Sequence, residues 1–185
     1  STRDEKETLD SIKSYCDEHG KIDGVMTIAN DVPYTVAFVA DYFNLKGHSV
    51  ESAILAHDKF LMKEAFKEHG VLCPDFWKVS NLDELKYLIE REDIEIFVIK
   101  PVDGRGARGV LMVNKTDNLE WAFNESLSWS DEKVLIVERF IHGMQISSES
   151  YLINGKAYTP ALAERNYSRL EEFSPYIIED GGTIP

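Results

Sequence analysis

With 185 residues, 43% of them hydrophobic and 29% charged, the chain is long enough to bury a core without disulfide or metal staples and too apolar for disorder. Its 33 acidic against 20 basic residues leave a formal charge of −13, which excludes a nonspecific long-range pull towards nucleic acid or anionic lipid. Any anionic ligand must therefore be held by local basic groups.

Leu9, Ile12, Tyr15 and Cys16 recur at helical spacing, so a helix is predicted over about residues 4–18, with Gly20 stopping it. Val25, Met26, Thr27, Ile28 and Ala29 form a short apolar run of the kind found in buried parallel strands, and Asp31-Val32-Pro33 then opens a helix through Tyr42. This α-β-α stretch begins on a helix, as the end of a doubly wound domain would. A further helix from Asp58 to His69 precedes a boundary near residue 73.

Beyond the boundary the pattern is strand (75–79), helix (Leu82, Leu85, Leu88, Ile89), strand (94–100), glycine-rich loop, strand (110–114), helix (117–128) and strand (133–139), a compact α+β module. Residues 145–153, the Asn154-Gly155 turn and residues 156–163 read as a β-hairpin, since Asn-Gly tolerates the positive φ of a tight turn. Glu164, Glu171, Glu172, Glu179 and Asp180 read as surface acids, with no further strand pairing expected. Cys16 and Cys73 have neither disulfide-framework nor metal-ligand spacing and read as reduced thiols. No apolar run approaches the ~20 residues of a membrane span, and the first ten residues lack the apolar core of a secretory signal. The expected setting is cytoplasmic, with neither nucleic acid nor membrane as partner.

Gly104-Arg105-Gly106-Ala107-Arg108-Gly109 matches the G-x-G-x-x-G pattern of dinucleotide-binding turns, but those turns run from a strand into a helix. Here Val110-Leu111-Met112-Val113 follows, so strand leads to strand and the loop is a hairpin flap. Protein kinases also cover ATP with a glycine hairpin, yet their lysine lies on the strand after the loop, whereas Lys100 precedes it. What remains is a backbone able to approach phosphate oxygens, with Lys100, Arg105 and Arg108 supplying positive charge; a triphosphate suits it. A mobile surface hairpin with solvated arginines is the competing reading.

The run from Phe97 through Lys100-Pro101-Val102-Asp103 to Gly109-Val110 resembles the lysine and flexible loop of the ATP-grasp superfamily. Val137-Glu138-Arg139-Phe140-Ile141-His142-Gly143 is similar to its adenine hinge, and Asp58-Lys59 to its first phosphate-contacting lysine in carbamoyl-phosphate-synthase-like and carboxylate–amine ligase members. The resemblance implies an α/β and α+β fragment: residues 1–73 as the end of a doubly wound preceding domain with linker helices, 74–138 as the α+β lid, and 139–185 as the hinge and start of a C-terminal antiparallel-sheet subdomain. It implies that Lys59 and Lys100 hold the α- and β-phosphates, that the loop Gly104, Arg105, Gly106, Ala107, Arg108 and Gly109 closes over the β- and γ-phosphates, and that Glu138 accepts from the adenine amino group. The hinge residues Arg139, Phe140 and Ile141 would border the base. Where the family usually places a ribose-binding glutamate stands Gln145, with Glu149 as the other acceptor on the same strand face by period two.

The activity implied is that of an ATP-dependent ligase, C–N bond forming, in which ATP with Mg2+ activates a small-molecule carboxylate as an acyl phosphate for attack by an amine or other nucleophile. The Mg2+ ligands, an acidic residue and a Glu-x-Asn pair in the family, are expected outside these residues, and turnover by them alone is not expected. A homodimer is left open. The alternative is a non-catalytic nucleotide-sensing domain; a hydride-transferring dehydrogenase would need a helix directly after Gly109.

Overall fold

The computed structural model describes residues 2, 4–28 and 30–184. The chain divides between Cys73 and Pro74 into two units.

The first unit is helical among its described residues. Helix α1 (Glu5–His19) starts where Asp4 accepts the Glu7 N–H at 2.8 Å, and it stops at Gly20, whose φ of 93° ends the helical path. Pro33 opens α2 (Pro33–Tyr42), which buries Thr35, Ala37, Val39 and Ala40. Two further helices, α3 (Val50–His57) and α4 (Lys59–Glu68), are capped at their N-termini by Ser49 and Asp58. Helix α3 carries no signal the periodicity singled out. The strand predicted over 25–29 is not formed: residues 24–28 are irregular, Met26 and Ile28 are 77% and 80% exposed, and Ala29 lies outside the described residues. A short apolar run becomes a strand only beside another strand that takes up its N–H and C=O groups, and the described residues of this unit contain none.

The second unit opens with the α+β module. Strand β1 (Phe76–Val79), helix α5 (Leu82–Arg91), β2 (Phe97–Pro101), β3 (Leu111–Val113), helix α6 (Leu119–Ser128) and β4 (Leu135–Arg139) build an antiparallel sheet in the order β1-β4-β2-β3. Alternation puts Val79, Phe97, Ile99, Leu111, Val113, Leu135 and Val137 on one face, where they pack with Leu85, Leu88, Ile89, Ala122 and Phe123 of the two helices. Asn81 and Asn118 cap these helices by accepting the N–H of Glu84 and Trp121.

A second antiparallel sheet follows. Strands β5 (Gln145–Ile153) and β6 (Lys156–Asn166) pair through the Asn154-Gly155 turn, where both residues have positive φ, and β7 (Gly181–Thr183) adds to β6 after the short helix α7 (Leu170–Phe173). The third strand corrects the expectation that no further pairing forms after the hairpin. In its register Gly182 lies opposite Arg165, where a Cβ on Gly182 would stand 3.1 Å from the Glu164 carbonyl. On its way to β7 the chain passes the edge of the first sheet. Met112 donates its N–H to the Pro175 carbonyl at 2.7 Å and Leu111 bridges Tyr176, so the exposed side of β3 is partly occupied. No helix among the described residues is long and apolar enough to cross a membrane.

Candidate functional site

Residues Phe76, Lys78, Val98, Lys100, Met112, Ile136 and Glu138 alternate onto the sheet face opposite α5 and α6. In register, Val98 lies opposite Glu138 and Lys100 opposite Ile136, so Lys100 and Glu138 are diagonal neighbours. The Lys100 ammonium donates to Glu138 Oε2 at 2.9 Å, with the two side chains only 20% and 7% exposed. Ile136 and Val98 are buried beside them. A cation and an acceptor are thus held together on a largely apolar platform.

Lys100 ends β2 and leads directly into the glycine loop, which returns as β3; the two strands pair from Phe97–Val113 to Ile99–Leu111. No helix follows the loop, and the arrangement that a dinucleotide-binding turn requires is absent here. The tip turns tightly through Gly106 and Ala107, with φ of 62° and 57°, and Arg108 N–H and Val110 N–H bond back to the carbonyls of Arg105 and Ala107. Turns that pass through this left-handed region are the kind of backbone from which anion-binding concavities are built.

After β4 the chain enters the hinge. Phe140 N–H donates to the Ile96 carbonyl at 3.0 Å, and the Phe140 and His142 rings meet edge to face. Phe140, Ile141, Gly143, Met144 and Gln145 line a cleft of about 340 Å³ together with Arg165, Asn166 and Tyr167. Of the two acceptors proposed for ribose, Gln145 lines this cleft and Glu149 does not. Arg139, one residue from Glu138 and therefore on the other face, pairs with Asp75 at 3.0 Å. Arg165 and Arg169 are paired with Glu179 and Glu172. Lys59 belongs to the helical unit, at the first position of α4, where Asp58 accepts the N–H groups of Phe60 and Leu61.

A family model described as phosphoribosylglycinamide synthetase, ATP-grasp (A) domain, matches residues 57–178, well over half of the chain. The chain belongs to the ATP-grasp family. It is 27% identical over 140 residues to a D-alanine–D-alanine ligase of Coprothermobacter proteolyticus, covering 75% of this chain and 41% of that protein. It is 23% identical over 141 residues to an L-arginine-specific L-amino acid ligase of Bacillus subtilis, covering 74% and 34%. The fold matches the crystal structure of an L-amino acid ligase from Bacillus licheniformis with a TM-score of 0.76 at 22% identity, over 98% of this chain and 41% of that one. The ATP-grasp chain thus spans less than half the length of these relatives.

Sequence reasoning passed over Asp103. Its Oδ1 accepts from Ser130 Oγ at 2.8 Å, and its Oδ2 from the backbone N–H groups of Asp131 and Glu132 at 2.8 and 3.0 Å. An aspartate immediately before a glycine turn is a usual acceptor for backbone N–H groups, but those it caps here lie nearly thirty positions away, which local pattern does not reveal. Partial burial pushes this carboxyl up, yet the bonds from Ser130 and the backbone outweigh that and hold it below the ordinary aspartate range. A carboxyl lowered by folding contributes stability above its unfolded pKa and loses it as pH falls through the folded value. The urea midpoint of Asp103→Asn is therefore expected to lie below that of the wild type at neutral pH, with the gap closing below about pH 4. A gap unchanged down to acid pH would remove this account.

Proposed function

We propose that these residues form the nucleotide-holding part of a ligase that activates a small carboxylate, an amino acid in view of the relatives' names, as an acyl phosphate for attack by an amine. The observation that carries the reading is the Lys100–Glu138 pair, set on one sheet face at the foot of a glycine hairpin. In this reading Lys100 neutralises the α- and β-phosphates. The Gly104–Gly109 loop with Arg105 and Arg108 covers the β- and γ-phosphates. Glu138 accepts from the adenine amino group, Phe140 and Ile141 border the base with Arg139 beside them, and Gln145 meets the ribose.

The reaction transfers the γ-phosphoryl group to a carboxylate oxygen with release of ADP; the amine nitrogen then bonds to the carbonyl carbon and phosphate leaves. The protein's part is positioning, charge neutralisation and exclusion of water under the hairpin, since a hydrated acyl phosphate would be wasted by hydrolysis. Among the described residues no group of three or more His, Cys, Asp or Glu is placed to hold a metal, and Asp103 is engaged by Ser130 and the backbone. Mg2+, when bound, would neutralise charge on the phosphates, held by residues outside those described. The two free thiols suit a reducing, cytoplasmic setting.

Calorimetric titration with Mg-ATP tests this directly. Lys100→Ala is expected to weaken binding at least about tenfold, the worth of one charge-assisted contact to phosphate. Equal affinities in the two proteins would remove Lys100 from the site.

A further inference from the structure

Both arms of the glycine loop end on the same short stretch of chain. On the incoming arm, the Asp103 carboxylate accepts from Ser130 Oγ and from the N–H groups of Asp131 and Glu132, and the neighbouring Val102 N–H donates to the Val134 carbonyl at 3.2 Å. On the outgoing arm, the buried Ser126 hydroxyl donates to the Gly109 carbonyl at 2.7 Å, Gly109 sits against the Trp129 ring and Ser126, and the Arg108 guanidinium lies over that ring at 5.7 Å. Ser126 lies in the last turn of α6, Trp129 is its C-cap, and residues 130–132 form the bend that follows.

A loop that must fold down on a ligand and release it needs freedom at its tip and fixed roots, because disorder at the roots adds ordering cost to every binding event. We propose that Asp103 and Ser126 are positioning residues that pin the two arms of the loop to the 126–132 segment, so that only the Gly104–Ala107 tip swings onto a bound triphosphate. The inference rests on the reading of this loop as a phosphate cradle. Asp103 lies beside that loop, and both of its oxygens accept from residues 130–132.

The test compares wild type, Asp103→Asn and Ser126→Ala in two measurements. Without nucleotide, limited trypsin digestion followed by mass spectrometry reads the rate of first cleavage after Arg105 and Arg108, relative to Arg91 at the end of α5. Cleavage requires the loop to open locally, so each variant is expected to raise the Arg105 and Arg108 rates about tenfold with the Arg91 rate unchanged. Titration with Mg-ATP and with adenosine then separates the phosphate end from the base end. Each variant is expected to lose about tenfold in Mg-ATP affinity and to keep its adenosine affinity. Unchanged loop cleavage in folded variants, or a loss shared equally by adenosine and Mg-ATP, overturns the proposal. Should Asp103→Asn fail to fold, Ser126→Ala decides it from the other arm. If wild type binds neither Mg-ATP nor adenosine, the nucleotide reading fails, while the trypsin comparison still accepts or rejects the pinning itself.

Discussion

Replacing Lys100 by methionine is expected to lower the stability of the second unit by about 3 kcal/mol, and adding Glu138→Leu is expected to recover most of that loss. The reason is the position of Glu138, which is 5% exposed, between Val98 and Ile136 on a sheet whose centre is fully buried. There its carboxylate has exchanged water for the Lys100 ammonium at 2.9 Å. Methionine keeps the apolar stem and removes the charge, leaving an uncompensated anion in poor solvent. Two leucine-like side chains at these positions would bury apolar surface without any desolvation penalty, which is why the double variant is expected near the wild type. Urea denaturation of wild type, the two single variants and the double variant gives the coupling directly. Strict additivity of the two substitutions would show that the pair is not an energetic unit. The same pair explains how two charges persist in a sheet otherwise packed with apolar residues: each makes the other tolerable.

The parts of this fold set by near neighbours in the chain were legible in the sequence. Helix α5 shows its apolar stripe at Leu85, Leu88 and Ile89, Asn154-Gly155 marks its hairpin, and the apolar strand after Gly109 shows that the loop enters β3 and not a helix. The apolar run at 25–29 misled because a strand is decided by what lies beside it, and no local pattern reports the neighbour's absence. Helix α3 was missed for a related reason: its eight residues bury only Ala53, too little to print a periodic stripe. At the candidate site, Lys100 and Glu138 were readable as members of motifs, but their direct contact depends on a cross-strand register 38 positions apart. The grip of Asp103 on residues 130–132 was invisible for the same reason.

Glycine 109 offers the sharpest contrast within the loop. Gly109→Ala is expected to destabilise by about 3 kcal/mol, whereas Gly106→Ala, three residues earlier and also at positive φ, is expected to cost about 1 kcal/mol. Both positions carry the strain of placing a Cβ in the left-handed region, at φ of 68° and 62°. At Gly106 that is the whole cost, because a Cβ there meets nothing within 4 Å. At Gly109 a Cβ would stand 3.0 Å from Trp129 Cδ1, 3.1 Å from the Ser126 carbonyl oxygen and 3.2 Å from Pro101 Cγ, and two of these neighbours cannot easily give way. The Ser126 oxygen belongs to helix backbone, and Pro101 is a ring fully buried in β2. Relief would come from displacing residue 109, which would also withdraw its carbonyl from Ser126 Oγ and free the outgoing arm of the loop. Denaturation midpoints of the two variants, measured together, check the ranking, since equal losses would mean that backbone strain alone governs both sites. In the same preparations, cleavage after Arg108 should accelerate in Gly109→Ala well beyond Gly106→Ala, because only the former loosens a root of the loop and not its tip.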